Sequence, residues 1–474
     1  MNKSGKTIAV ALLGLSLTAG AEVTVYPAPE GAALNNSFSV DVREPGGTWK
    51  PLSVYEVKVD EVKNARHNVR KSSMAYFDFD GKAEIRVRAN GRKIEKAAVR
   101  PFSYDIKPRV EGNEMTFTID RPRLMSVEVN GEIFDNLQLF ANPVDENRPK
   151  DLKKFRKNKD NIYFGPGYHK LDTLKIGSGK TVYIAGGAVV DGVLEVENAE
   201  NVRVFGRGMV YPYRKMGLSV RNSRNVAIDG LFSTQCAVGG SRGVEISNVK
   251  VMSYYGWGDG FNVFASSDVH YDGVFARTSD DCTTIYATRK GFTGGCENIL
   301  TENSVLWADV AHPFMIGLHG NSKNPDTISN VLYRNIDVLD MQEFQIDYQG
   351  VFAIITGDNN TVKDVTFDNI RVENFRRGRL FDIRIAYNKK YCTAPGGCIE
   401  NILFKDIIYN GDRSEMSMII GYDDERMVKG VRFENLVVNG EKIYDKMPGK
   451  PGWYKTGDMM NLFIGEHTED VVFE

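Results

Sequence analysis

Apolar and polar residues alternate in short runs along the first part of the chain. Phe38, Val40 and Val42 form one such run, and similar runs recur with turn residues between them. Alternation of this kind places the apolar side chains on one face of a strand, and the Asn130-Gly131 pair is typical of a tight hairpin turn. Residues 22–141 are therefore predicted to form a β-sandwich domain. No grouping of catalytic side chains stands out in this segment.

The alternation stops at residues 142–160, where two prolines and a series of basic residues replace it. A solvated linker with a turn of helix explains this composition, and a binding site for a polyanion is the alternative. We favour the linker.

From residue 161 onward, one short phrase repeats. It consists of a turn residue followed by Val or Ile, with further apolar residues at alternate positions. The phrase occurs at the following pairs: Asn201-Val202, Asn225-Val226, Gly243-Val244, Asp268-Val269, Asn298-Ile299, Asn330-Val331, Asp364-Val365, Asn401-Ile402 and Gly430-Val431. The intervals of 18 to 37 residues indicate a fixed coil with loops of different length.

A single coil cannot bury its apolar face alone, but stacked coils can. Residues 161–474 are therefore predicted to form a right-handed parallel β-helix, which makes the whole protein all-β. Leucine-rich repeats and WD propellers are disfavoured, because their diagnostic Leu spacing and dipeptide do not recur. Asn and Asp at the bends are expected to adopt left-handed backbone and to form hydrogen bonds along the stack.

Residues 1–21 have the features of a cleavable secretory signal peptide. Lys3 and Lys6 precede an apolar stretch, residues 8–17, and a small-residue cleavage site follows it. The stretch is shorter than the roughly 20 residues that span a bilayer, which disfavours the alternative of a membrane anchor. We expect a secreted or periplasmic protein.

The net charge and the cysteines limit the partners and cofactors. A formal net charge of −2 over 474 residues creates no strong field, so neither nucleic acid nor a membrane is expected as a partner. The number of cysteines is odd, and Cys392 and Cys398 are either a small disulfide or buried thiols. No cysteine has the paired spacing of a zinc site, and neither a metal nor another cofactor is expected. The oligomeric state does not follow from the sequence.

Three carboxylates stand one coil apart in the middle of the predicted β-helix. Asp259 lies between two glycines, and Asp280 and Asp281 follow 21 and 22 residues later. Adjacent strands of a stack lie about 4.8 Å apart, so the three acids are predicted to share one patch. Like charges at short range raise the pKa of one member, as the proton donor of a glycosidase requires. Turn formation, the usual role of Asp in a solenoid, is the alternative.

The order Gly-Asp-Gly-Phe-Asn at 258–262, followed by Ser-Asp-Asp-Cys at 279–282, resembles the catalytic region of the β-helix glycoside hydrolases. Two related families are similar, the polygalacturonases and the dextranase/isopullulanase family. The second also places a β-sandwich before the β-helix. In place of the Gly-His-Gly and Arg-Ile-Lys motifs of the polygalacturonases, the chain has Gly317-Leu318-His319-Gly320 and Arg384-Ile385-Ala386. In the polygalacturonases, this Lys is implied to bind the carboxylate of galacturonate. Its absence from the chain favours the dextranase/isopullulanase family.

The resemblance implies hydrolysis with inversion. Asp280 would protonate the leaving oxygen, and Asp259 and Asp281 would hold and deprotonate the attacking water. Inverting enzymes separate their carboxyls by roughly 6.5–9.5 Å, a spacing compatible with neighbouring coils. Because adjacent residues of an ideal strand point to opposite faces, a bend or bulge is predicted at Asp280 and Asp281.

Six further residues are candidates for binding the substrate. His319 and Arg384 could bind sugar hydroxyls, with a structural histidine and a surface ion pair as the respective alternatives. Aromatic rings suit the C–H face of a sugar, and core packing is the alternative for each of them. The aromatic candidates are Tyr255, Trp257, Tyr286 and Trp307.

The sequence therefore predicts a secreted inverting glycoside hydrolase that acts on a polysaccharide or oligosaccharide. An α-linked neutral glycan such as dextran or pullulan is favoured because the galacturonate-binding Lys is missing. The alternatives are a galactan- or pectin-directed hydrolase of the same architecture, a polysaccharide lyase, and a non-catalytic carbohydrate-binding solenoid.

Overall fold

The computed structural model describes residues 22–64, 66–212, 216–412 and 414–474. The predicted signal peptide, residues 1–21, lies outside the described residues. The first eleven strands are β1 (Glu22–Val25), β2 (Phe38–Arg43), β3 (Lys50–Leu52), β4 (Tyr55–Lys63), β5 (Arg66–Asp80), β6 (Ala83–Ala89), β7 (Ala97–Arg100), β8 (Arg109–Glu111), β9 (Glu114–Ile119), β10 (Arg123–Val129) and β11 (Glu132–Asn142), with a 3₁₀ helix at Phe102–Tyr104.

These strands form the predicted β-sandwich. One sheet has the order β1-β5-β11-β10-β7, with β4 paired to β5, and the other has the order β3-β2-β6-β9-β8. Phe38, Val40 and Val42 point into the core between the sheets. Asn130 and Gly131 have φ angles of 58° and 77° and connect β10 to β11, so the predicted hairpin is confirmed.

A short helix, α1 (Leu152–Lys157), lies in the segment between the sandwich and the first coil. The side chain of Asp151 caps it by accepting a hydrogen bond from the backbone N–H of Lys154. Strand β11 ends at Asn142 and the next strand begins at Asn161. The domain limits 22–141, 142–160 and 161–474 stay predictions.

The remaining strands are β12 (Asn161–Phe164), β13 (Gly167–Ile176), β14 (Thr181–Ile184), β15 (Ala188–Glu197), β16 (Glu200–Gly206), β17 (Met209–Val210), β18 (Leu218–Arg221), β19 (Arg224–Asp229), β20 (Phe232–Ser233), β21 (Cys236–Gly239), β22 (Arg242–Ser247), β23 (Lys250–Met252), β24 (Phe261–Phe264), β25 (Ser267–Asp272), β26 (Phe275–Thr278), β27 (Thr283–Tyr286), β28 (Cys296–Ala308), β29 (Phe314–Gly317), β30 (Thr327–Asp340), β31 (Phe352–Thr356), β32 (Thr361–Val372), β33 (Phe381–Ile385), β34 (Ile399–Tyr409), β35 (Ser417–Ile420), β36 (Val428–Glu434), β37 (Leu436–Val438), β38 (Glu441–Ile443), β39 (Leu462–Ile464) and β40 (Thr468–Phe473), with a 3₁₀ helix at Thr456–Met460.

All 29 of these strands belong to one sheet that winds into the predicted right-handed parallel β-helix. We call the series β18-β21-β24-β27-β29-β31-β33-β35-β39 sheet face 1; its neighbours are parallel. Inward-pointing apolar residues stack from coil to coil, as in the register Val263–Ile285–Ile316–Ile354–Ile383. These side chains are part of one continuous core.

Asn and Asp residues mark the bends between the faces, as predicted. Asn298 has a φ of 57° and Asn330 a φ of 54°, which is left-handed backbone. The Asn298 amide donates to Asp268 Oδ1 at 2.8 Å, and the Asn330 amide donates to Asn298. The bends are therefore linked by a ladder of hydrogen bonds.

The sandwich packs firmly against the β-helix. Arg277 of β26 is fully buried and donates to the backbone oxygen of Ile133 and to Asn136 Oδ1, both at 2.9 Å. Arg207 and Asp78 form a buried ion pair of 3.0 Å across the same junction. The apolar contact there includes Val57, Val59, Met74 and Phe140 of the sandwich and Met252, Phe275, Trp307 and Leu339 of the β-helix.

All five cysteines are free thiols, so Cys392 and Cys398 do not form a disulfide in this structure. Among the described residues, no helix is long and apolar enough to cross a membrane.

Candidate active site

The three aspartates meet on neighbouring coils of sheet face 1. Asp259 precedes β24, the Asp280-Asp281 pair precedes β27, and the two strands pair in parallel with Phe261 opposite Thr283. One carboxylate oxygen of each aspartate lies within 4.8 Å of the other two. The predicted stacking of Asp259 on Asp280 and Asp281 is confirmed.

The chain bends where the paired aspartates lie. Strand β26 ends at Thr278 and β27 begins at Thr283, and a bend occupies the residues between them. Thr278 Oγ1 donates to the backbone oxygen of Asp280 at 2.6 Å, and the Asp281 N–H donates to Asp280 Oδ1 at 3.0 Å. The predicted interruption of the strand is confirmed, and it lets two consecutive side chains reach one site.

Two glycines allow the coils to stack this closely. A Cβ on Gly258 would lie 2.3 Å from Ser279 Oγ, and a Cβ on Gly260 would lie 2.5 Å from the backbone oxygen of Cys282. Distances this short are steric clashes, so any larger residue would push the coils apart. Glycine is therefore required on both sides of Asp259 for it to contact the acids of the next coil.

Burial and mutual repulsion raise the pKa of two of the acids. Withdrawal from water, followed by the charges of Asp259 and Asp281, raises the pKa of Asp280 well above its ordinary value. Withdrawal from water and the Asp281 charge raise the pKa of Asp259 to about 7. The raised pKa favours the protonated form of Asp280, which is the form that a general acid needs.

Asp281 is surrounded by hydrogen-bond donors. It is 3% exposed, and its Oδ1 accepts from His312 Nδ1 at 2.6 Å and from the His312 N–H at 3.2 Å. Its Oδ2 accepts from the Tyr286 hydroxyl at 3.1 Å. Three donors stabilise the charged form of a carboxylate at this position.

Asp259 is oriented by a side chain of its own coil and one of the next. Asn262 Nδ2 donates to Asp259 Oδ2 at 2.8 Å, and Thr284 Oγ1 donates to Asn262 Oδ1 at 2.8 Å. The second bond fixes the orientation of the Asn262 amide, so that its NH₂ group faces Asp259.

The acids lie in a cavity of about 730 Å³ that combines aromatic and basic side chains. A volume in this range is typical of small-molecule and sugar sites. The aromatic lining is Trp257, Phe264, Tyr286, Phe292, Tyr348 and Tyr391. The basic lining, apart from histidines, is Arg221, Arg289, Lys290 and Lys390.

Three of the predicted substrate-binding residues line this cavity. Trp257 is 87% exposed, and Tyr286 contacts Asp281 through its hydroxyl. His319 packs edge-on against Tyr286, with 4.9 Å between the ring centroids. Burial and the nearby cations of Arg289 and Lys290 lower the pKa of His319 to about 3, so its ring is neutral.

The structure corrects the other three expectations. Trp307 is fully buried at the junction with the sandwich, where its ring centroid lies 4.1 Å from the Arg277 guanidinium. The hydrophobic effect and this cation–π contact hold it there. Tyr255 is not part of the cavity lining and supports the site through its backbone oxygen, which accepts from Ser279 Oγ at 2.5 Å.

Arg384 also lies outside the cavity. It is on β33, and strand β31 separates it from β29, the strand that follows His312. Its Nε lies 3.1 Å from Asp382 Oδ1. Asp382 Oδ2 accepts from the Gln349 N–H at 3.3 Å, at the end of the loop that carries Glu343 and Tyr348 into the cavity. Arg384 therefore supports this loop indirectly.

Sequence reasoning missed His312, the residue that contacts Asp281. His319 drew attention because it lies near glycines, whereas His312 stands between Ala311 and Pro313. A usable signal was present, since His312 comes two residues before an apolar strand, one coil after Asp281. The buried Glu343 and the four basic residues of the lining were missed as well. Glu343 and Lys390 lie on loops that are distant in sequence from the aspartates, and Arg221 ends strand β18.

Oxygen ligands at this spacing are of the kind that hard divalent cations prefer. The raised pKa of Asp280 favours its protonated form, which is a poorer ligand for a cation than a carboxylate. The geometry therefore supports acid–base chemistry by the three carboxyls.

Comparison with known proteins points in the same direction. The family model for glycosyl hydrolases family 28 matches residues 214–450, half of the chain. No curated protein matches the sequence.

Two solved structures align with most of the chain, and the first of them carries the fold likeness. "Dex49A from Penicillium minioluteum" aligns with a TM-score of 0.61 at 13% identity, covering 95% of this chain and 96% of that one. The "Yersinia enterocolitica Family 28 Exopolygalacturonase" aligns with a TM-score of 0.49 at 11% identity, covering 83% of this chain and 96% of that one. The resemblance to β-helix glycoside hydrolases related to the polygalacturonases is confirmed.

Proposed function

Because the chain belongs to glycosyl hydrolases family 28, we propose that it hydrolyses a glycosidic bond with Asp280 as general acid and a water activated by Asp259 and Asp281. The observation that carries this proposal is the convergence of three carboxylate oxygens within 4.8 Å in one cavity. Residues 1–21 have the features of a signal peptide, so we expect the enzyme to act in the periplasm or outside the cell.

Asp280 is the acid in this proposal because burial and both neighbouring carboxylates raise its pKa. Its proton passes to the glycosidic oxygen as the bond from that oxygen to the anomeric carbon breaks. General acid catalysis of this kind contributes about 10²- to 10⁴-fold in rate. The attacking water gives its proton to the base, and a proton then returns from the base to Asp280 to complete the cycle.

Asp259 and Asp281 are close enough to hold one water between them. A water that accepts or donates at about 2.8 Å to two oxygens can bridge a gap of up to roughly 5.6 Å, and the oxygens of the two carboxylates lie within 4.8 Å. Asp281, with His312 beside it, is our choice for the group that takes the proton. Asp259 would orient the water.

Inversion of the anomeric centre is part of the proposal, and the carboxyl spacing makes it worth testing directly. The oxygens lie within 4.8 Å, shorter than the roughly 6.5–9.5 Å typical of inverting enzymes and nearer the 5–5.5 Å of retaining ones. A bridging water between Asp259 and Asp281 explains inversion at this spacing. A covalent glycosyl intermediate on one of the two carboxylates is the alternative.

The cavity lining supports an acidic glycan as substrate. Arg289 and Lys290 lie near Asp259 and His319, whose pKa values they lower, and Arg221 and Lys390 line the same cavity. Basic side chains of this kind bind the carboxylate of a uronic acid through charge-assisted hydrogen bonds. A uronic-acid-containing glycan is therefore the first candidate.

A neutral α-linked glycan is the second candidate. Ala386 stands where the polygalacturonase motif has Lys, and Trp257 offers an exposed ring for the C–H face of a neutral sugar. The cations would then be paired with solvent ions and with the acids of the site.

A panel of purified glycans tests the proposal. Polygalacturonate, galactan, dextran and pullulan are incubated with the enzyme, new reducing ends are measured, and proton NMR identifies the first anomer released. We expect cleavage of polygalacturonate or a related uronic-acid glycan with inversion. An unsaturated product that absorbs in the ultraviolet would identify a lyase, and the absence of product from every glycan would indicate a non-catalytic binding protein.

A further inference from the structure

The N-terminal sandwich reaches into the catalytic cavity. Strands β4 and β5 form a long antiparallel hairpin in which Val62 is paired with His67 near the tip. His67 lines the same cavity as Trp257 and the three aspartates. A side chain of the sandwich is therefore placed where a substrate of the β-helix would bind.

The ring of His67 is held in one orientation. Its Nδ1 lies 2.5 Å from Oδ2 of Asp60, which is fully buried. Because the carboxylate accepts the hydrogen on Nδ1, Nε2 is the nitrogen available to a ligand. The side chain of His67 is 53% exposed, and its Nε2 has no protein partner within the described part of the chain.

The hairpin itself is anchored to the β-helix. Val57 and Val59 of β4 belong to the same buried apolar cluster as Met252 and Trp307 of the β-helix. The Lys58 N–H donates to the Tyr211 hydroxyl at 3.3 Å. His67 thus extends from a hairpin whose other strand, β4, is held against the catalytic coils.

Trp257 supplies an apolar surface in the same cavity. It is 87% exposed and has a φ of 61°, in the left-handed region that bulky residues rarely adopt. The backbone oxygen of Trp257 accepts from Gln235 Nε2 at 3.3 Å. Strain of this kind is concentrated at binding and catalytic sites, and an exposed indole is suited to stacking on a sugar ring.

We propose that His67 and Trp257 form an outer sugar-binding subsite, through which the β-sandwich binds a sugar unit that is not being cleaved. The inference rests on the proposed glycosidase function. The reacting acids are partly or fully buried, whereas His67 and Trp257 are exposed. His67 Nε2 binds a hydroxyl or carboxylate oxygen of that outer sugar, and Trp257 stacks on its C–H face.

Substrates of different length distinguish an effect on this subsite from an effect on the catalytic centre. The His67→Ala variant is compared with the wild type on two series of oligosaccharides of increasing length, one from polygalacturonate and one from dextran. For the longer members of the accepted series, we expect KM to rise about 3- to 10-fold, the loss of one hydrogen bond. The kcat value, and both constants for the shortest cleaved member, stay at the wild-type values.

The control is His270→Ala, which removes a half-exposed histidine that pairs with Glu302 on the outer surface of β25. This variant keeps the wild-type constants at every length. A His67→Ala enzyme that matches the wild type at all lengths overturns the subsite alone. A wild type that cleaves neither these series nor galactan nor pullulan overturns the proposed function, and the subsite with it.

Discussion

His312 Nδ1 lies 2.6 Å from Oδ1 of Asp281, and its Nε2 lies 3.2 Å from the backbone oxygen of Tyr348. Both neighbours are acceptors, so both ring nitrogens must carry a hydrogen, which makes the ring an imidazolium. Burial alone would lower the pKa of His312, but the charge and hydrogen bond of Asp281 raise it above its ordinary value. His312 is therefore the counter-ion of the carboxylate that we assign as the base.

Replacing His312 by Gln removes this cation and leaves Asp281 buried without a counter-charge. We expect the free energy of unfolding to fall by about 3 kcal/mol or more and kcat to fall at least tenfold. Urea unfolding and initial rates measure the two effects. The stability that His312 provides is fully present below about pH 6.5 and is lost as pH rises through the raised pKa.

The His312→Gln variant should therefore lack this pH-dependent loss of stability. His270→Gln, at a surface ion pair, is the control and should change neither quantity. A stable and fully active His312→Gln enzyme would refute the counter-ion role.

The rate should fall on the alkaline side because Asp280 must keep its proton. We expect kcat/KM to decrease as pH rises through the raised pKa of Asp280. Glu343 is buried in the same cavity, and its charge contributes to that raised pKa. In Glu343→Gln the decrease should begin at lower pH, by less than about one unit. A pH–rate profile of the two proteins shows the difference, and an unmoved alkaline limb would contradict the assignment.

The raised pKa of Asp259 lowers the stability of the folded protein at alkaline pH. Its folded-state pKa is about 7 and its ordinary value is 3.8. Between these two pH values, the folded protein holds a proton that the unfolded chain has released. Stability is therefore lost as pH rises from about 4 to 7.

Asp259→Asn does not titrate and should be more stable than the wild type at about pH 8, by at most about 4 kcal/mol. Near pH 4 the two proteins should differ little. Asp272→Asn, at the end of β25, is the control. Equal stability of Asp259→Asn and wild type at both pH values would show that the pKa of Asp259 is not raised in the folded protein.

The basic residues of the cavity separate the two candidate substrates. With Arg289→Ala, we expect KM for a uronic-acid glycan to rise about 10- to 100-fold, the loss of a charge-assisted hydrogen bond worth roughly 1.5–3 kcal/mol. Constants for a neutral glycan should change little. Arg242→Ala, which removes an exposed arginine paired with Asp268, is the control. An unchanged KM for the acidic glycan would favour the neutral one.

The fold followed from the sequence because its signals are local. The phrase around Asn298 and Asn330 repeats at each bend, and alternation within Phe38–Val42 identifies a half-buried strand. The spacing of Asp259 and Asp281 equals one coil, so stacking alone brings them together.

The rest of the site depends on loops and on the packing of the sandwich. The sequence suggests Trp307 as a sugar-binding residue, but the junction with the sandwich buries it. No local sequence pattern indicates where that junction lies. Arg384 was predicted to bind the substrate, but it lies on β33, and the coil that contains β31 separates it from β29. His312 reaches Asp281 from a loop, and His67 reaches the cavity from another domain, so their positions require the three-dimensional structure.

The central claim is that Asp280 donates the proton to the leaving group. It is tested most directly by Asp280→Asn on two substrates of the sugar that the wild type accepts, the natural glycan and an aryl glycoside whose leaving group needs no protonation. We predict that kcat falls about 10²- to 10⁴-fold on the glycan and by less than about tenfold on the aryl glycoside. Equal losses on both substrates, or full activity on the glycan, would contradict the assignment.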